Sequence, residues 1–582
     1  LEKKTIGVKT LTSNKGSWSR FLYVLVHANL PWIWIALVIG VSLGASKLQL
    51  VFPQYTSKLL NGDITGHLIK LTIITSIALI LVTFLNNFCQ RVGEVAISRN
   101  LRLVVWGRIL KTKPSGFGEA QPGEMISRVT TDTSVIGNFL VNFLLIMISY
   151  VYYICSSVSY LASINKGLLM WMLACIPFTV IATIIWGRIN FNVQVKVYEK
   201  ISKLTHYLSD RVTKIPLIKA YGTENKEIEN GRVPIEEMYS ANVKSAQVSC
   251  VGNIVTTIIM SVIPSIILMV IGADMINKGQ LNFGNWTIFF MYSAQMTSNI
   301  LTVISEWADI KGTQGAIMRV SGIMINPSEF NDTYPDKSGL EGNIEIRDLN
   351  FSYENKKVFH DLNLVIKEGQ KTAIIGESGC GKTTLLKLLE RFYEVEDGSV
   401  FFNGRDINTY DLVESRRSIS YISQDAPMFS GTIREAVSYG VGRTLTDEEI
   451  KQALDASCAL DFVQAMPEGL DSQVGEEGSK LSGGQRQKLA MTRGILRNSR
   501  YVIFDESTSS MDAHSAMETQ RAIDRFTKGR TCIMVSHNMS MIRDADIIIA
   551  LKNGKVEAEG APEEMLKISQ VYRSFCGEEG VC

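Results

Sequence analysis

Gly376-Glu377-Ser378-Gly379-Cys380-Gly381-Lys382-Thr383 follows the apolar run Thr372 to Ile375 and precedes the helix-like Thr384-Leu385-Leu386-Lys387-Leu388-Leu389. The octapeptide satisfies GxxxxGK(S/T) at each fixed position, in the strand-loop-helix setting that gives the pattern its meaning. Its glycines let the backbone curl so that successive N–H groups, those of Ser378 and Cys380 among them, point at phosphate oxygens. The helix N-terminus that opens at Thr383 and Thr384 adds favourable potential, Lys382 a mobile positive charge, and Thr383 a hydroxyl ligand for Mg²⁺. A nucleoside triphosphate is the expected ligand.

Downstream, short β-rich runs (Lys371 to Ile375, Tyr501 to Phe504, Thr531 to Val535, Ile547 to Leu551) alternate with helical stretches. Such alternation predicts a parallel sheet with helices on its faces, an α/β domain over 344–582. The run Tyr501-Val502-Ile503-Phe504 ends on Asp505-Glu506. Two adjacent carboxylates at the end of an apolar strand are costly unless they meet a cation or perform chemistry. Asp505 is expected to hold Mg²⁺ through water. Glu506 is expected to polarise the water that attacks the γ-phosphate.

Upstream, the informative feature is where charge is missing. Only 20% of the 582 residues are charged, and they are unevenly spread. Uncharged, mostly apolar runs lie from Phe21 to Ser46 and between Lys70 and Arg91, Asp132 and Lys166, Lys166 and Arg188, Lys244 and Asp274, and Lys278 and Glu306. Each is long enough to cross a hydrocarbon core of about 30 Å as a helix. The segments around Arg91 to Arg128 and Arg188 to Lys219 are rich in Lys and Arg, as is the short stretch before Phe21. By the positive-inside rule, both termini and both long loops are cytoplasmic. The loops keep a helical pattern, so the helices are expected to continue well past the membrane. A formal net charge of +2 argues against a nucleic-acid partner. Nine cysteines without a CxxC pair give neither a disulfide framework nor a zinc site.

Leu481-Ser482-Gly483-Gly484-Gln485 precedes the helix-like stretch Arg486 to Leu496. Ser482 can cap that helix, and the two glycines expose N–H groups as a second phosphate cradle. An LSGGQ segment between a P-loop and a strand ending in Asp-Glu is highly specific. On these residues the chain resembles the ATP-binding cassette (ABC) transporters, and in particular an exporter-type half-transporter. That implies a multidomain fold: an all-α polytopic membrane domain, with six transmembrane helices and long cytoplasmic extensions, followed by an α/β P-loop nucleotide-binding domain. The expected boundaries are a cytoplasmic segment 1–20, a transmembrane domain 21–310, a linker 311–343 and the nucleotide-binding domain 344–582.

The resemblance assigns further roles. Tyr353 matches the aromatic that stacks on adenine, and Gln424 the glutamine that touches Mg²⁺ and senses the membrane domain. Asp512, in Ser510-Met511-Asp512, matches the D-loop, with Met511 where leucine is commoner; His537 matches the switch histidine on the γ-phosphate. Gly123 to Val129 and Ile215 to Tyr221 resemble the loops that carry coupling helices. The family sandwiches ATP between the P-loop of one subunit and the LSGGQ of another. A second half-transporter is therefore the expected partner, a homodimer being the simplest case and a heterodimer the other. The expected cargo is a small molecule, lipid or peptide of amphipathic or lipophilic character, moved out of the cytoplasm across a bacterial inner (plasma) membrane. Uptake of a siderophore or metal chelate is the alternative direction, and an ATP-gated channel or sensor with little hydrolysis the alternative class. No cysteine peptidase is visible in residues 1 to 20, which speaks against an exporter that cleaves its cargo's leader. Asn86, Asn87, Gln90, Asn138, Asn142, Gln295, Ser298 and Asn299, with nearby tyrosines, either line a cargo cavity or hydrogen-bond helix to helix.

Overall fold

A computed structural model describes residues 17–114, 122–326, 328–329, 338–353, 356–423, 425–505, 513–536 and 539–578. The chain divides into two compact units, residues 1–110 with 119–326 and residues 111–118 with 327–582.

The first unit is helical. The uncharged run from Phe21 to Ser46 is not one helix, which corrects the first expected span. A short helix α1 (Ser17–His27) ends before Asn29, whose φ of 46° is left-handed, and the spanning helix α2 (Trp32–Leu60) starts only after Pro31. Proline lacks the N–H that would carry a helix through this point, so the run breaks there although it holds no Asp, Glu, Lys or Arg. In α1, Phe21 and Val24 are buried, with Phe21 edge-on to Phe139, while Leu22 and Val26 stay exposed.

Long helices follow: α3 (Gly66–Leu110), α4 (Gly123–Ile164), α5 (Lys166–Thr213), the short α6 (Ile215–Ala220), α7 (Glu224–Asn277) and α8 (Phe283–Ile325). Among the described residues α2, α3, α4, α5 and α7 are long and apolar enough to cross a membrane. The sixth expected run lies in α8, which continues past residue 310 to Ile325, so the boundary expected at 310 falls inside a helix. With 48 residues, α5 is about 72 Å long, more than twice a hydrocarbon core. The expected extension beyond the membrane is thus built into single helices. Pro177 sits inside α5. Pro264 follows a π-turn, Ile258–Val262, which absorbs the carbonyl that proline cannot serve.

Among the flagged polar residues, Asn86, Gln295 and Asn299 have side-chain hydrogen bonds inside the helical unit. Ser42 donates to Asn86 Oδ1 at 2.7 Å between α2 and α3. Gln295 bonds Asn299 one turn on in α8 at 3.0 Å. Tyr292 is fully buried, donates to the Leu50 carbonyl at 2.5 Å and lies edge-on to Tyr153. By contrast, Ile73, Ile77, Ile80, Phe84 and Phe88 of α3 are exposed, as lipid contact requires.

The second unit holds two sheets. Strands β1 (Ile344–Tyr353), β2 (Lys356–Ile366), β4 (Val400–Phe402) and β5 (Arg405–Asp406) form an antiparallel sheet in the order β2-β1-β4-β5. Strands β3 (Lys371–Gly376), β6 (Ile419–Ile422), β7 (Tyr501–Asp505), β8 (Thr531–Val535), β9 (Ile547–Lys552) and β10 (Lys555–Gly560) form the other, in the order β10-β9-β3-β8-β7-β6. Its strands are parallel except the edge strand β10, which pairs antiparallel with β9. The connecting Asn553-Gly554, both at positive φ, is the two-residue turn that matches strand twist. Strands β7 and β8 are buried at every position, and their near-continuous apolar runs reflect helices on both faces.

Candidate functional site

The P-loop leaves the C-terminal end of β3, between β8 and β9, and enters helix α9 (Lys382–Leu389). Leu385, Leu386, Leu388 and Leu389 bury that helix in the same core as Ile374 and Ile503, which fixes the loop at the sheet edge. Two glycines are required by geometry. Gly381 caps α9 at φ 109°, where a Cβ would lie 2.6 Å from the Phe359 ring. At Gly376 a Cβ would lie 2.4 Å from the Leu551 carbonyl oxygen. Lys382 is buried, and its Nζ donates to the carbonyls of Gly376 (2.7 Å) and Glu377 (3.2 Å). The ammonium is therefore held across the loop by neutral acceptors that a phosphate can replace. Burial raises the Cys380 thiol above its usual range, so that side chain stays neutral.

Thr383 and Asp505, distant in sequence, meet here: Thr383 Oγ1 lies 3.4 Å from Asp505 Oδ1. Asp505 ends β7 and is buried. Its Oδ2 accepts from the hydroxyl of Tyr421 on β6 at 2.9 Å. Burial raises the Tyr421 phenol, and the Asp505 carboxylate raises it further, so Tyr421 remains a donor. The sequence did not single out Tyr421. Its only signal is a strand register, Ile422 opposite Phe504, which puts Tyr421 near the end of β7.

Tyr353 ends β1, half-buried, with its hydroxyl 3.3 Å from Thr384 Oγ1. Phe351 and Tyr393 meet its ring edge-on at 5.0 and 5.1 Å. Beside the loop is a cavity of about 300 Å³ walled by Lys356, Lys357, His360 and Lys552, against one carboxylate, Glu377, together with Ser378 and Gly379. Such a lining suits a polyanion.

The LSGGQ segment stands on a different core. It opens helix α10 (Gly483–Arg497), whose Leu489 and Leu496 are buried with Leu481, Met428 and Val474. Ser482 Oγ accepts from the Gln485 N–H at 3.2 Å, and Gln485 Oε1 accepts from the Ser482 N–H at 3.0 Å. This reciprocal cap uses the glutamine as well as the serine. Ser482 and Gly483 are exposed, whereas Gly484 is buried. No hydrogen bond among the described residues joins Ser482–Gln485 to the P-loop. Gln424, Glu506, Asp512 and His537 lie outside the described residues; they follow, in the chain, the ends of β6, β7 and β8. The ends of β7, β8 and β3 are themselves adjacent, Asp505 pairing with Val535 and Val535 with Ile374.

In the helical unit, α6 presents Ile215 and Leu217 to solvent, and Tyr221 just beyond it is also exposed. The flanking helices are tied together: Arg211 Nε donates to Glu227 Oε2 at 2.6 Å, and the Tyr207 hydroxyl to the same oxygen at 3.0 Å. The Gly123 to Val129 stretch opens α4, and Asp132, one turn on, is gripped by Arg319 of α8 through two bonds of 2.7 and 2.6 Å.

Comparison with known proteins agrees in both units. A family profile described as "ABC transporter transmembrane region" matches residues 32–300, and one described as "ABC transporter" matches residues 359–509. A "Multidrug resistance ABC transporter ATP-binding and permease protein" of Lactococcus lactis subsp. cremoris is 27% identical over 574 residues, covering 97% of this chain and 96% of its own. An "ATP-dependent lipid A-core flippase" of Desulfotalea psychrophila is 29% identical over 487 residues, 83% and 84% of the two chains. The protein of that name from Methylobacillus flagellatus is 27% identical over 586 residues, 98% of each.

Proposed function

Since the chain belongs to the ABC transporters, carrying their transmembrane region and their ATP-binding domain in one polypeptide, we propose that it exports an amphipathic or lipophilic substrate as a dimer, most simply of two identical copies. It is a multi-pass membrane protein and an ATPase coupled to transport; the direction, the cargo and the identity of the partner are the proposal. The observation that carries it is the separation of the two phosphate cradles. P-loop and LSGGQ belong to different cores of the same unit, and among the described residues no hydrogen bond joins the LSGGQ turn, exposed at Ser482 and Gly483, to the P-loop. A second copy supplies what each cradle lacks.

In this reading the P-loop N–H groups and Lys382 hold the β- and γ-phosphates, and Tyr353 stacks on the adenine. Thr383 and Asp505 offer two hard oxygens close together, a donor set that fits Mg²⁺, with Gln424 completing it. When bound, the ion would neutralise charge developing on the phosphates. Tyr421 keeps Asp505 oriented. Glu506 takes the proton of the attacking water, and His537 steadies the γ-phosphate. Ser482, Gly483, Gly484 and Gln485 of one copy, with Asp512, close over the nucleotide held by the other. ATP thus binds the closed dimer better than the open one, and hydrolysis removes that bias. Coupling segments at Gly123–Val129 and around α6 pass the movement to the spanning helices. Support for a lipophilic cargo comes from near-full-length similarity to proteins named for multidrug resistance and for lipid A-core flipping. The basic loops support a reading in which both termini, and the ATP sites, lie on the cytoplasmic side of a plasma membrane.

The test is ATP-dependent movement of a panel of lipids, lipophilic dyes, peptides and siderophores in sealed vesicles whose ATP-binding domains face outward. Accumulation of dyes or lipids inside supports export. Release of preloaded siderophore from the lumen instead would establish uptake.

A further inference from the structure

Two helices that open on the phosphate cradles end on a common buried group. Glu390 is the C-terminal cap of α9, the P-loop helix, and Arg497 is the last residue of α10, the LSGGQ helix. Arg416, from the helix Leu412–Ser418 that leads into β6, joins them. Its Nε donates to the Glu390 carbonyl at 3.2 Å, its Nη2 to the Arg391 carbonyl at 3.2 Å, and its own carbonyl accepts from Arg497 Nη2. The Arg416 charge is already matched, because both of its Nη groups hold Glu329 at 3.0 Å.

Glu390 itself is only 5% exposed. Its Oε1 is enclosed without a hydrogen-bond partner, and so is the Nε of Arg497. A buried carboxyl oxygen and a buried guanidinium N–H left unpaired are both costly, and each is the group the other lacks. We propose that Glu390 and Arg497 form a latch between the P-loop helix and the LSGGQ helix, closed as an ion pair when Glu390 is ionised and open when it is protonated, which makes Glu390 a positioning residue for ATP turnover.

The surroundings let the proton exchange near neutrality. Burial pushes the Glu390 carboxyl up to about 7, against the pull of Arg416 and then Arg497. Burial lowers the Arg497 guanidinium, which Glu390 opposes and Arg417 reinforces. The other charged or titratable groups nearby are committed elsewhere. Arg391 donates to the Tyr410 carbonyl at 3.0 Å, Arg417 to Glu414 at 2.6 Å, and Tyr421 to Asp505. Leverage follows from length. A helix of 15 residues places the LSGGQ glycines about 22 Å from the latch, so a small turn at one end is a larger displacement at the other.

The proposal rests on ATP hydrolysis by this chain, which wild-type turnover reports separately. The experiment is kcat and KM for ATP of the full-length protein in lipid nanodiscs from about pH 6 to about pH 8, for wild type, Glu390→Gln, Arg497→Gln and the double variant. Glutamine matches the protonated carboxyl in shape and charge, so that variant keeps the fold, and thermal melting at low pH verifies it. The expected result is a wild-type to Glu390→Gln ratio of kcat that changes by about threefold or more across this range, with KM unmoved. In the double variant the two effects do not multiply, because either change alone opens the latch. A ratio of kcat constant with pH, or fully multiplicative effects, overturns the proposal.

Discussion

The two phosphate cradles differ in how much of their surroundings the chain supplies. The P-loop is finished locally: strand β3 and helix α9 fix it, Lys382 bridges it, and Thr383 and Asp505 meet beside it. The LSGGQ turn is finished only with respect to itself. Its serine and glutamine cap each other's backbone, and Ser482 and Gly483 are left exposed, where the proposal has a second copy bring the nucleotide. One cradle is a binding site in a single chain, the other half of a site. In the proposed dimer, that asymmetry would let ATP act on the distance between two copies, since the second cradle would gain its partner only when they close.

Several changes would break or sharpen this contrast. The largest effect is expected at Glu506, to which the proposal assigns the chemistry rather than either cradle. Glu506→Gln should lower ATP turnover about 100-fold or more, the range for loss of a general base, while equilibrium binding of labelled ATP stays near wild type. Next comes the finished cradle: Lys382→Ala removes a charged donor, and ATP affinity read by titration should fall about 10- to 100-fold.

Glu390 lies where the two cradle helices end, away from both cradles, and its signature is pH-dependent stability. An acid whose folded value is pushed up to about 7 favours the folded state while both forms are protonated. That contribution is lost as pH rises from the unfolded carboxyl range, about 4.3, to the folded value. The melting temperature of the wild type should therefore drop by several degrees, about 4 °C or more, from about pH 5 to about pH 8, relative to Glu390→Gln measured in parallel. Parallel melting curves for the two proteins would refute the linkage. The smallest effect is at the half-site. Ser482→Ala should cost about 1 kcal/mol of stability through the lost cap, seen by denaturant titration, with little change in ATP affinity of the isolated P-loop side.

How legible these features are in the sequence depends on whether a local pattern encodes them. Phosphate binding needs several N–H groups in one short turn, so the P-loop and LSGGQ are contiguous and readable. Membrane spans are readable for a similar reason, because lipid excludes charge over some twenty consecutive residues. The start of the first span was not readable. No Asp, Glu, Lys or Arg interrupts Phe21 to Ser46, and the local geometry at Asn29 and Pro31 parts α1 from α2. The end of the last helix was hidden too, since α8 turns polar after Glu306 yet stays helical to Ile325. The antiparallel sheet β2-β1-β4-β5 was missed because its strands are separated by the P-loop helix and by turns. Tyr421 and the Glu390–Arg416–Arg497 cluster come from register and packing. Those residues are far apart in the chain and share no motif.

The central claim is that each working ATP site is built from two copies. It is tested most directly by combining two defective chains, one carrying Lys382→Ala and the other Ser482→Arg, with different affinity tags so that mixed dimers can be isolated. Each chain alone should be inactive, because both of its sites contain a damaged cradle. In the mixed dimer both lesions fall in one site, and the other unites the intact P-loop of one copy with the intact LSGGQ of its partner. ATP hydrolysis should therefore return in purified mixed dimers. Mixed dimers as inactive as either parent would contradict the account.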